Sequence, residues 1–417
     1  MKRFLLVLAG LCLLVFVVLC FRWPPGTDPY YIAWHVENNL FPNIHFLFYF
    51  LMGLIPLPIL FLMRFVPVVL MFVFCLVGGL ISNKLLSYYM PFFHGRTLGS
   101  STILGGVSEW LGVAPGFLTG FLFFGFPLFI YKGAFFEEDL LGLILGFLAV
   151  FFVIDFYFTG KSRGGLLWCV LFLLVGVFVW RGLVFFFPFF WLLGFKRREF
   201  FWFSLPLLAG VIFLVLNPSV FPFPAFHVSE GWPGVLTMVY AWGFGVAGFK
   251  AAKCFPGFLR LLVVWFGLIG LYLARFQLVS VLPLGVGVFF LLFDWSVGVG
   301  VVREWRGLVF DRVRSFLNMF FLVGLFVGFG VLAFMVVPSE SQMSCLGEVV
   351  GVAGGEEIVN EWRFGHWLLF LGGRPVFSPL SNWDYIGNSS VGWVLCGCGR
   401  VDCPVVLNCS SFCLFRC

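Results

Sequence analysis

The stretch Glu137-Glu138-Asp139, followed by LLGLILGFLAVFFVI at residues 140–154, decides the fold class of this chain. An apolar run of this length, extended by further aromatic residues to position 158, is typical of a helix that crosses a membrane. Acidic residues at its start suit the positive end of a helix dipole, so these carboxylates also have a purely structural explanation. The same pattern of an apolar run bounded by a short polar break recurs along most of the sequence.

The composition places the chain among integral membrane proteins. Hydrophobic residues make up 62% of it and charged residues only 11%, whereas about a quarter of the residues of a soluble globular protein are charged. The net charge is +6, but the basic residues lie in short loops rather than on one face. That distribution orients a membrane protein and argues against nucleic-acid binding. We interpret the 62 Phe as residues that face lipid or pack between helices, and the 50 Gly as residues of close helix packing.

A membrane span needs about 20 apolar residues, and twelve apolar runs approach that length. They are residues 4–20, 46–63, 66–82, 101–131, 139–158, 164–180, 182–194, 200–216, 235–249, 257–274, 277–293 and 316–337. Run 101–131 is either one long helix or a hairpin broken at Pro115-Gly116, and run 46–63 contains Pro56 and Pro58 and is either a span or re-entrant. The sequence therefore predicts an all-α polytopic membrane protein with about 11 to 13 transmembrane helices.

The N-terminal run is either a signal peptide or an anchor. Met1-Lys2-Arg3 precede an apolar stretch that reaches Cys20, but the following residues 21–25 contain no small-residue cleavage site. We therefore expect an uncleaved anchor, with Lys2 and Arg3 on the cytoplasmic side.

The positive charges predict the orientation of the loops. Basic residues occur on alternate loops, at Lys161/Arg163, Lys196–Arg198, Lys250/Lys253 and Arg303–Arg314. The positive-inside rule makes those loops cytoplasmic. The intervening loops, which hold Asp28, Glu137–Asp139, Glu230 and the tail after Val337, then all face outward. Lys84 and Arg96 fit only the version with 11 spans, in which 46–63 does not span and 101–131 is a single helix. We expect a multi-pass protein of the cell membrane.

The C-terminal region differs from the rest of the chain. From Pro338 the composition becomes polar, which divides the sequence into a membrane domain at 1–337 and an extracytoplasmic region at 338–417. This tail is long enough for a small or truncated soluble domain but marginal for an independent core. Six of the 12 Cys lie between Cys396 and Cys417, and outside the cell they would form disulfides. Cys396 and Cys398 are too close in sequence for the usual zinc spacing.

The carboxylates are the candidate ligands of a metal ion. Asp28, Glu137, Asp139 and Glu230 lie on three separate polar breaks, and hard oxygen ligands suit Mg²⁺ or Mn²⁺. Arg275 lies between two apolar runs, where it either snorkels to the interface or binds a phosphate group. The five His show no paired metal spacing, and His227 alone, three residues before Glu230, is a candidate auxiliary ligand.

Five elements, in order along residues 25–390, resemble motifs of the catalytic subunit of oligosaccharyltransferases, a family of the GT-C membrane superfamily. The resemblance is strongest to the single-subunit archaeal and bacterial enzymes. The elements are Asp28-Pro29-Tyr30-Tyr31, Glu137-Glu138-Asp139, Val228-Ser229-Glu230 with Trp232-Pro233, Arg275-Phe276, and Trp383-Asp384-Tyr385-Ile386-Gly387.

The resemblance implies a GT-C-like fold and a chemistry. Such enzymes move a glycan from a polyprenyl or dolichyl phosphate carrier to the side-chain nitrogen of Asn in Asn-x-Ser/Thr. Asp28 and Glu230 would be catalytic, and Asp28, Glu137, Asp139 and Glu230 would hold Mn²⁺ or Mg²⁺. Arg275 would bind the lipid phosphate, and Trp383, Asp384 and Tyr385 would bind the acceptor peptide. The implied partners are a lipid-linked oligosaccharide, an acceptor polypeptide and the lipid bilayer, with any partner subunit unidentified.

The sequence also departs from the family pattern. Asn382 stands where the signature has its first Trp, Ile386 precedes Gly387, and only 30 residues follow Gly387 where family members usually have a far longer soluble domain. Two other readings therefore stay open. One is another glycosyltransferase of the superfamily that uses a polyprenyl-phosphate sugar, and the other is a non-catalytic relative, scaffold or transporter. Transporters place charges near the bilayer midplane, whereas these charges lie at the ends of the apolar runs.

Overall fold

The structure is a computed structural model that describes most of the N-terminal half and separate parts of the remainder. The described residues are 1–26, 28–40, 46–93, 103–161, 163–194, 205, 208, 257–272, 277–299, 323–324, 326–328, 330, 338–360, 362–375, 393–396, 405–408 and 413–416.

The protein is mostly helical, as expected from its composition. The helices are α1 (Lys2–Cys20), α2 (Asp28–Glu37), α3 (Phe46–Gly53), α4 (Ile59–Tyr89), α5 (Ile103–Leu111), α6 (Thr119–Leu122), α7 (Pro127–Gly133), α8 (Asp139–Thr159), α9 (Arg163–Val179), α10 (Phe187–Gly194), α11 (Phe258–Tyr272), α12 (Gln277–Val299), α13 (Glu340–Ala353) and α14 (Trp362–Phe370). Short 3₁₀ turns occupy Met90–Phe93, Pro115–Leu118, Phe123–Gly125 and Arg181–Phe186.

Three helices, α1, α4 and α8, are long and apolar enough to cross a membrane. A fourth span results if Leu104–Leu111 and Pro115–Gly125, which are bent by 94° against each other, count as one. Within the part of the chain that the structure describes, length and composition thus support three or four of the 11 to 13 expected spans.

Two expected boundaries are wrong. The runs 46–63 and 66–82 do not form two segments divided near residue 64, because α4 continues from Ile59 to Tyr89 with Pro67 inside it. The break lies earlier, between Gly53 and Ile59, where Pro56 and Pro58 lack the amide hydrogen that a helix interior requires. With eight residues α3 is about 12 Å long, too short to cross a membrane. One continuous helix over 101–131 is also wrong, because the chain bends before Pro115.

Polar contacts between the central helices show the directions in which they run. Arg64, near the start of α4, donates from Nη2 to the carbonyl oxygen of Arg22 at 3.0 Å, just after α1 ends, so α1 and α4 run antiparallel. Near the other end of α4, the Lys84 ammonium lies 2.8 Å from the Asp155 carboxylate, close to the end of α8. Helices α4 and α8 are therefore parallel. We call the end that holds residues 20–37 and 137–142 the acidic end.

Close backbone approach holds the bent segment against α4. A Cβ atom on Gly116 would lie 2.3 Å from the backbone nitrogen and Cα of Asn83, so only glycine allows this contact. Around it, aromatic rings fill the space between helices, and the ring of Phe74 lies 5.4 Å from that of Phe123 and 6.0 Å from that of Phe147. This agrees with the packing role that we expected for Gly and Phe.

The C-terminal region also contains strands, whereas the all-α prediction concerned the membrane domain. Its strands are β1 (Glu357–Asn360), β2 (Arg374–Pro375), β3 (Trp393–Cys396), β4 (Val405–Asn408) and β5 (Cys413–Arg416). They form a five-stranded sheet in the order β2-β1-β3-β5-β4, in which β1 pairs in parallel with β2 and β3 and the β3–β5 and β5–β4 pairs are antiparallel. These strands are short and separated by long connections, which is why the composition of the tail did not indicate them.

Local signals in the sequence account for the first helix of this region. Ser339 caps α13: its hydroxyl accepts a hydrogen bond from the Gln342 amide at 3.1 Å, and the Gln342 side chain accepts one from the Ser339 amide at 2.9 Å.

Cys345, buried on α13, is disulfide-bonded. In the apolar runs that the structure describes, Cys12, Cys20, Cys75 and Cys169 are free cysteines.

We expect Gly116→Ala to lower the stability of the bundle by about 1–3 kcal/mol, because the added methyl group overpacks the contact with Asn83. Gly10→Ala is the matched control, since no atom lies within 4 Å of a Cβ built on Gly10 in α1. That control should be neutral or slightly stabilising, because Ala favours a helix over Gly by up to about 1 kcal/mol. Thermal unfolding in detergent compares the two variants, and equal melting temperatures would contradict the packing argument.

Candidate functional site

A glycine joins the two acidic motifs at the acidic end. Gly26 has φ +88°, a left-handed conformation that favours glycine, and it directly precedes the loop to Asp28. A Cβ atom on Gly26 would lie 2.4 Å from Cε1 of Phe135, two residues before Glu137. The chain before α2 and the chain before α8 therefore pack against each other at this glycine.

The packing brings together carboxylates that are distant in sequence. Asp28 is the first residue of α2, Asp139 is the first residue of α8, and Glu137 and Glu138 directly precede α8. Asp28, Glu138 and Asp139 are all close enough to act electrostatically on the Glu137 carboxyl, and Lys132 is the cation that offsets them. The four carboxylates are partly buried and share one end of the helical bundle.

The surroundings favour the protonated form of Glu137. Loss of contact with water is the main cause that raises its pKa well above the usual value, and the nearby charges of Asp139, Asp28 and Glu138 raise it further. Lys132 acts in the opposite direction. The neighbouring carboxylates therefore disfavour a negative charge on Glu137, and a bound cation would favour it.

The C-terminal region docks on this same end of the molecule through α14. The indole Nε1 of Trp367 donates a hydrogen bond of 3.3 Å to the carbonyl oxygen of Gly26. Tyr30 of α2 is fully buried beneath the helix, with ring centroids 6.3 Å from Trp367 and 5.3 Å from Phe370. Its hydroxyl donates to the carbonyl oxygen of Pro24 at 2.9 Å, so the contact combines apolar burial with satisfied polar groups.

The docked helix places a histidine beside the first acidic motif. His366 is fully buried, and its Nδ1 lies 3.4 Å from Oδ1 of Asp28, whose side chain is 30% exposed. Neither ring nitrogen of His366 has a hydrogen-bond partner. The ring also packs against Tyr31, with centroids 5.0 Å apart.

A second histidine lies further along the same face of α2 as Asp28 and Tyr31. The ring of His35 is 4.0 Å from that of Tyr31 and 5.7 Å from that of Tyr49 on α3. Its Nδ1 lies 3.0 Å from the carbonyl oxygen of Tyr31, which orients the ring. Burial lowers the pKa of His35, with a smaller contribution from His366, and the bond to Tyr31 opposes the shift. The imidazole of His35 is therefore kept neutral at physiological pH.

The structure brings together only part of the site predicted from sequence. Asp28, Glu137 and Asp139 meet at the acidic end, whereas Glu230, Arg275, Trp383, Asp384 and Tyr385 lie outside the described residues, as does His227. Within the described ranges, no group of three or more His, Cys, Asp or Glu side chains is placed to hold a metal ion. The described residues therefore offer a pair, Asp28 and His366, within a field of further carboxylates.

Sequence reasoning missed three residues of this site. His366 was set aside because it has no partner at metal-ligand spacing, and nothing near it in the sequence points to Asp28. Trp367 and Gly26 were not singled out, although Gly26 follows Pro24-Pro25, a turn signal. Contacts between residues more than 300 positions apart leave no local pattern, so only the folded chain reveals them.

We expect Gly26→Ala to loosen the contact between the acidic end and the C-terminal region by more than the strain of a positive φ alone would cause. Gly355→Ala is the matched control, because Gly355 has φ +90° but no atom within 4 Å of its Cβ position. The control carries a strain of about 1–2 kcal/mol, and Gly26→Ala adds the clash with Phe135. Limited proteolysis should release the C-terminal region in Gly26→Ala alone. Equal protease sensitivity of the two variants would contradict a special role for the contact.

The raised pKa of Glu137 predicts a pH dependence in the absence of divalent cations. A carboxyl whose folded pKa lies above its unfolded value, about 4.3, stabilises the fold below that pH, and this contribution is lost as pH rises through the folded pKa. This contribution by itself lowers the melting temperature as pH rises above about 4.3, so Glu137→Gln should become more stable relative to wild type over that rise. Glu348→Gln, at an exposed position on α13, should leave the pH profile unchanged. Parallel profiles for wild type and Glu137→Gln would contradict the argument.

Comparison with known proteins assigns no family. No protein-family model matches this chain, and no curated protein matches it either. The resemblance to oligosaccharyltransferases thus depends on the ordered motifs in the sequence, and what the chain does is inferred from its residues and their geometry.

Proposed function

We propose that this chain is a membrane glycosyltransferase of the oligosaccharyltransferase type. It would move a glycan from a polyprenyl or dolichyl phosphate carrier to the side-chain nitrogen of Asn in an Asn-x-Ser/Thr sequence. The observation that carries the proposal is the meeting of Asp28 with Glu137–Asp139 at the end of the bundle where α14 docks. In the resemblance these are the two acidic motifs that serve one site, and nothing in their sequence separation requires them to meet.

The proposed topology is polytopic and GT-C-like, with about 11 to 13 spans in the cell membrane and a cytoplasmic N-terminus. The helix directions support it. The N-terminal nitrogen of Met1 donates to the carbonyl oxygen of Leu111 at 3.1 Å, at the end of the bundle opposite the carboxylates. Lys84 also lies near that opposite end. With Lys2, Arg3 and the N-terminus at one end and the predicted outward loops at the other, we propose that the acidic end faces outward. The disulfide at Cys345 suits an oxidising compartment for the C-terminal region.

The later helices are consistent with a site at the acidic end. Helix α11 begins at the opposite end, where the amide of Leu259 donates to the Tyr89 hydroxyl at 3.3 Å, and it then approaches the middle of α8 at Phe266. Helix α12 runs the other way, because its Phe290 ring lies 5.7 Å from that of Tyr89. Thus α11 runs towards the acidic end and α12 runs away from it. Arg275 stands between these two helices in the sequence, and we propose that it binds the carrier phosphate.

The proposed reaction breaks the bond between the anomeric carbon of the glycan and the carrier phosphate oxygen. A new bond forms between that carbon and the amide nitrogen of the acceptor Asn, and the carrier leaves as its phosphate. The nitrogen loses one proton, which a carboxylate accepts. We assign the orientation of the amide and the uptake of its proton to Asp28, with Glu230 as its partner.

The described residues would supply only part of the ligand set of a divalent cation, since no three of them are placed to hold one by themselves. Asp28, Glu137 and Asp139 are mutually repelling carboxylates, and together with Glu230 they would hold Mn²⁺ or Mg²⁺. When bound, the ion neutralises the negative charge of the leaving phosphate. The chain itself supplies the arrangement of the carboxylates, which follows from the starts of α2 and α8 and the contact at Gly26.

The acceptor sequence would be recognised by the C-terminal region. We propose that Trp383, Asp384 and Tyr385 bind the hydroxyl of Ser or Thr two residues after the acceptor Asn. An aspartate can accept the hydrogen bond of that hydroxyl, and two aromatic rings suit a small side chain. The docking of α14 on α2 supports this role, because it attaches the C-terminal region to the acidic end.

Glycan transfer in membranes tests the function. The assay contains a lipid-linked oligosaccharide pool, a fluorescent Asn-x-Thr peptide, and Mn²⁺ or Mg²⁺. We expect Asp28→Ala to lower transfer by about 100-fold or more, because it loses the group that orients the acceptor amide. Asp384→Ala should weaken the response to the peptide. Asp294→Asn is the matched control, because Asp294 is exposed near the end of α12 that lies away from the acidic end.

The outcomes distinguish the proposed oligosaccharyltransferase from another glycosyltransferase and from a non-catalytic relative. Loss of transfer in both Asp28→Ala and Asp384→Ala, with Asp294→Asn active, supports the proposal. Activity of Asp384→Ala on a small acceptor, with Asp28→Ala inactive, indicates another glycosyltransferase of the superfamily that needs no peptide site. No transfer by folded wild-type protein contradicts the proposal and favours a non-catalytic relative.

A further inference from the structure

His366 is a buried polar side chain without a visible reason for its burial. It is fully inaccessible to solvent, and neither Nδ1 nor Nε2 has a hydrogen-bond partner. A buried polar group without hydrogen bonds lowers the stability of a protein by about 1–3 kcal/mol. Such a group in a folded protein therefore usually has a partner, and an ion or a water can take that place where no protein atom does. The position of His366 shows where that partner would lie, because Nδ1 faces Asp28.

The distance between the two side chains differs from that of a good hydrogen bond. Nδ1 of His366 and Oδ1 of Asp28 are 3.4 Å apart, beyond the usual range of about 2.7–3.2 Å for N–H···O. Two ligands that are each about 2.1 Å from a metal ion lie about 3.0 Å apart when the angle at the ion is about 90° and about 3.4 Å apart when it is about 110°. The observed separation is compatible with two adjacent ligands of one cation.

From this geometry we propose that His366 is a ligand for a divalent transition-metal ion that it shares with Asp28. The inference deepens the proposed function, because this is the same cation that the carboxylates of the acidic end would hold. The donor set then contains an imidazole nitrogen beside carboxylate oxygens. Mg²⁺ prefers oxygen ligands and keeps several waters, so a nitrogen ligand from His366 disfavours Mg²⁺ relative to a transition-metal ion such as Mn²⁺.

The neighbours of His366 favour this role. Tyr31 packs against the ring and limits its rotation, which presents Nδ1 towards Asp28. Asp28, Glu138 and Asp139 all lie close enough to act on the Glu137 carboxyl, so the pair lies among further carboxylates that would attract a cation. The Asp28 side chain is 30% exposed, so an ion can reach the pair from solvent.

A purely structural role predicts something different. If His366 only anchors α14 to α2, its replacement lowers stability but leaves the selectivity between metals unchanged. Trp367 and Phe370 already attach α14 through a hydrogen bond and ring contacts, so the helix has an anchor that does not depend on His366.

Cation binding to the full chain in lipid nanodiscs tests the proposal, without any glycan substrate. The affinity for Mn²⁺ is measured from the electron paramagnetic resonance signal of the free ion, and that for Mg²⁺ by competition. We expect wild type to bind Mn²⁺ at least about tenfold more tightly than Mg²⁺. His366→Gln should weaken Mn²⁺ binding by at least about tenfold and change Mg²⁺ binding little, and Asp28→Asn should weaken both.

His35→Gln is the matched control. His35 is also a histidine of this pocket, but its Nδ1 is bonded to the Tyr31 carbonyl and its Cα lies about 10 Å along α2 from that of Asp28. Its replacement should leave the preference for Mn²⁺ intact. If the preference is lost in His35→Gln and kept in His366→Gln, the proposal is wrong.

A measurement on wild type keeps the test independent of how the variants fold. Pulsed electron paramagnetic resonance of the Mn²⁺-loaded protein should show coupling to an imidazole ¹⁴N nucleus. Absence of that coupling, or absence of Mn²⁺ binding, overturns the proposal. Failure of the proposed function gives a different result. If the protein shows nitrogen coupling but transfers no glycan, the metal site is supported and the transferase function is wrong.

Discussion

The arrangement of the acidic end depends on the close approach of Gly26 to Phe135. Only a residue without a Cβ both adopts the positive φ of this position and leaves room for the aromatic ring. Three separate parts of the chain meet there, because the Gly26 carbonyl also accepts the hydrogen bond of Trp367 from α14. The two acidic motifs and the C-terminal region are thus positioned by one turn.

The helical bundle supports this arrangement from the opposite side. The parallel course of α4 and α8 places their first residues at the same end, and the ion pair of Lys84 with Asp155 joins them near their other ends. The Tyr88 hydroxyl donates to the same Asp155 carboxylate at 2.9 Å, so that charge is satisfied within the protein. At the acidic end, Lys132 acts on Glu137 against the charges of Asp139, Asp28 and Glu138. Several carboxylates therefore lie close together there, and a bound cation would act on all of them.

An active site formed in this way would join membrane and soluble parts of the chain. The carboxylates come from the starts of helices α2 and α8, whereas His366 comes from a helix that follows the apolar runs. A cation shared by Asp28 and His366 would therefore also hold the C-terminal region on the bundle. In the proposed transferase this region carries the residues for the acceptor peptide, so binding of the ion and positioning of the acceptor would be coupled.

The sequence by itself determined the class of this protein and its candidate carboxylates. Long apolar runs have only helical solutions in a membrane, and the prolines at positions 56 and 58 mark a break, although the exact helix limits were predicted wrongly there. Asp28 and Glu137–Asp139 were visible as polar breaks between those runs. Only the tertiary structure decided that these breaks meet and that His366 and Trp367 pack beside them, since such contacts depend on helix directions and on the space left by Gly26. Local sequence encodes helices and turns, whereas contacts across more than 300 residues arise from packing of the whole chain.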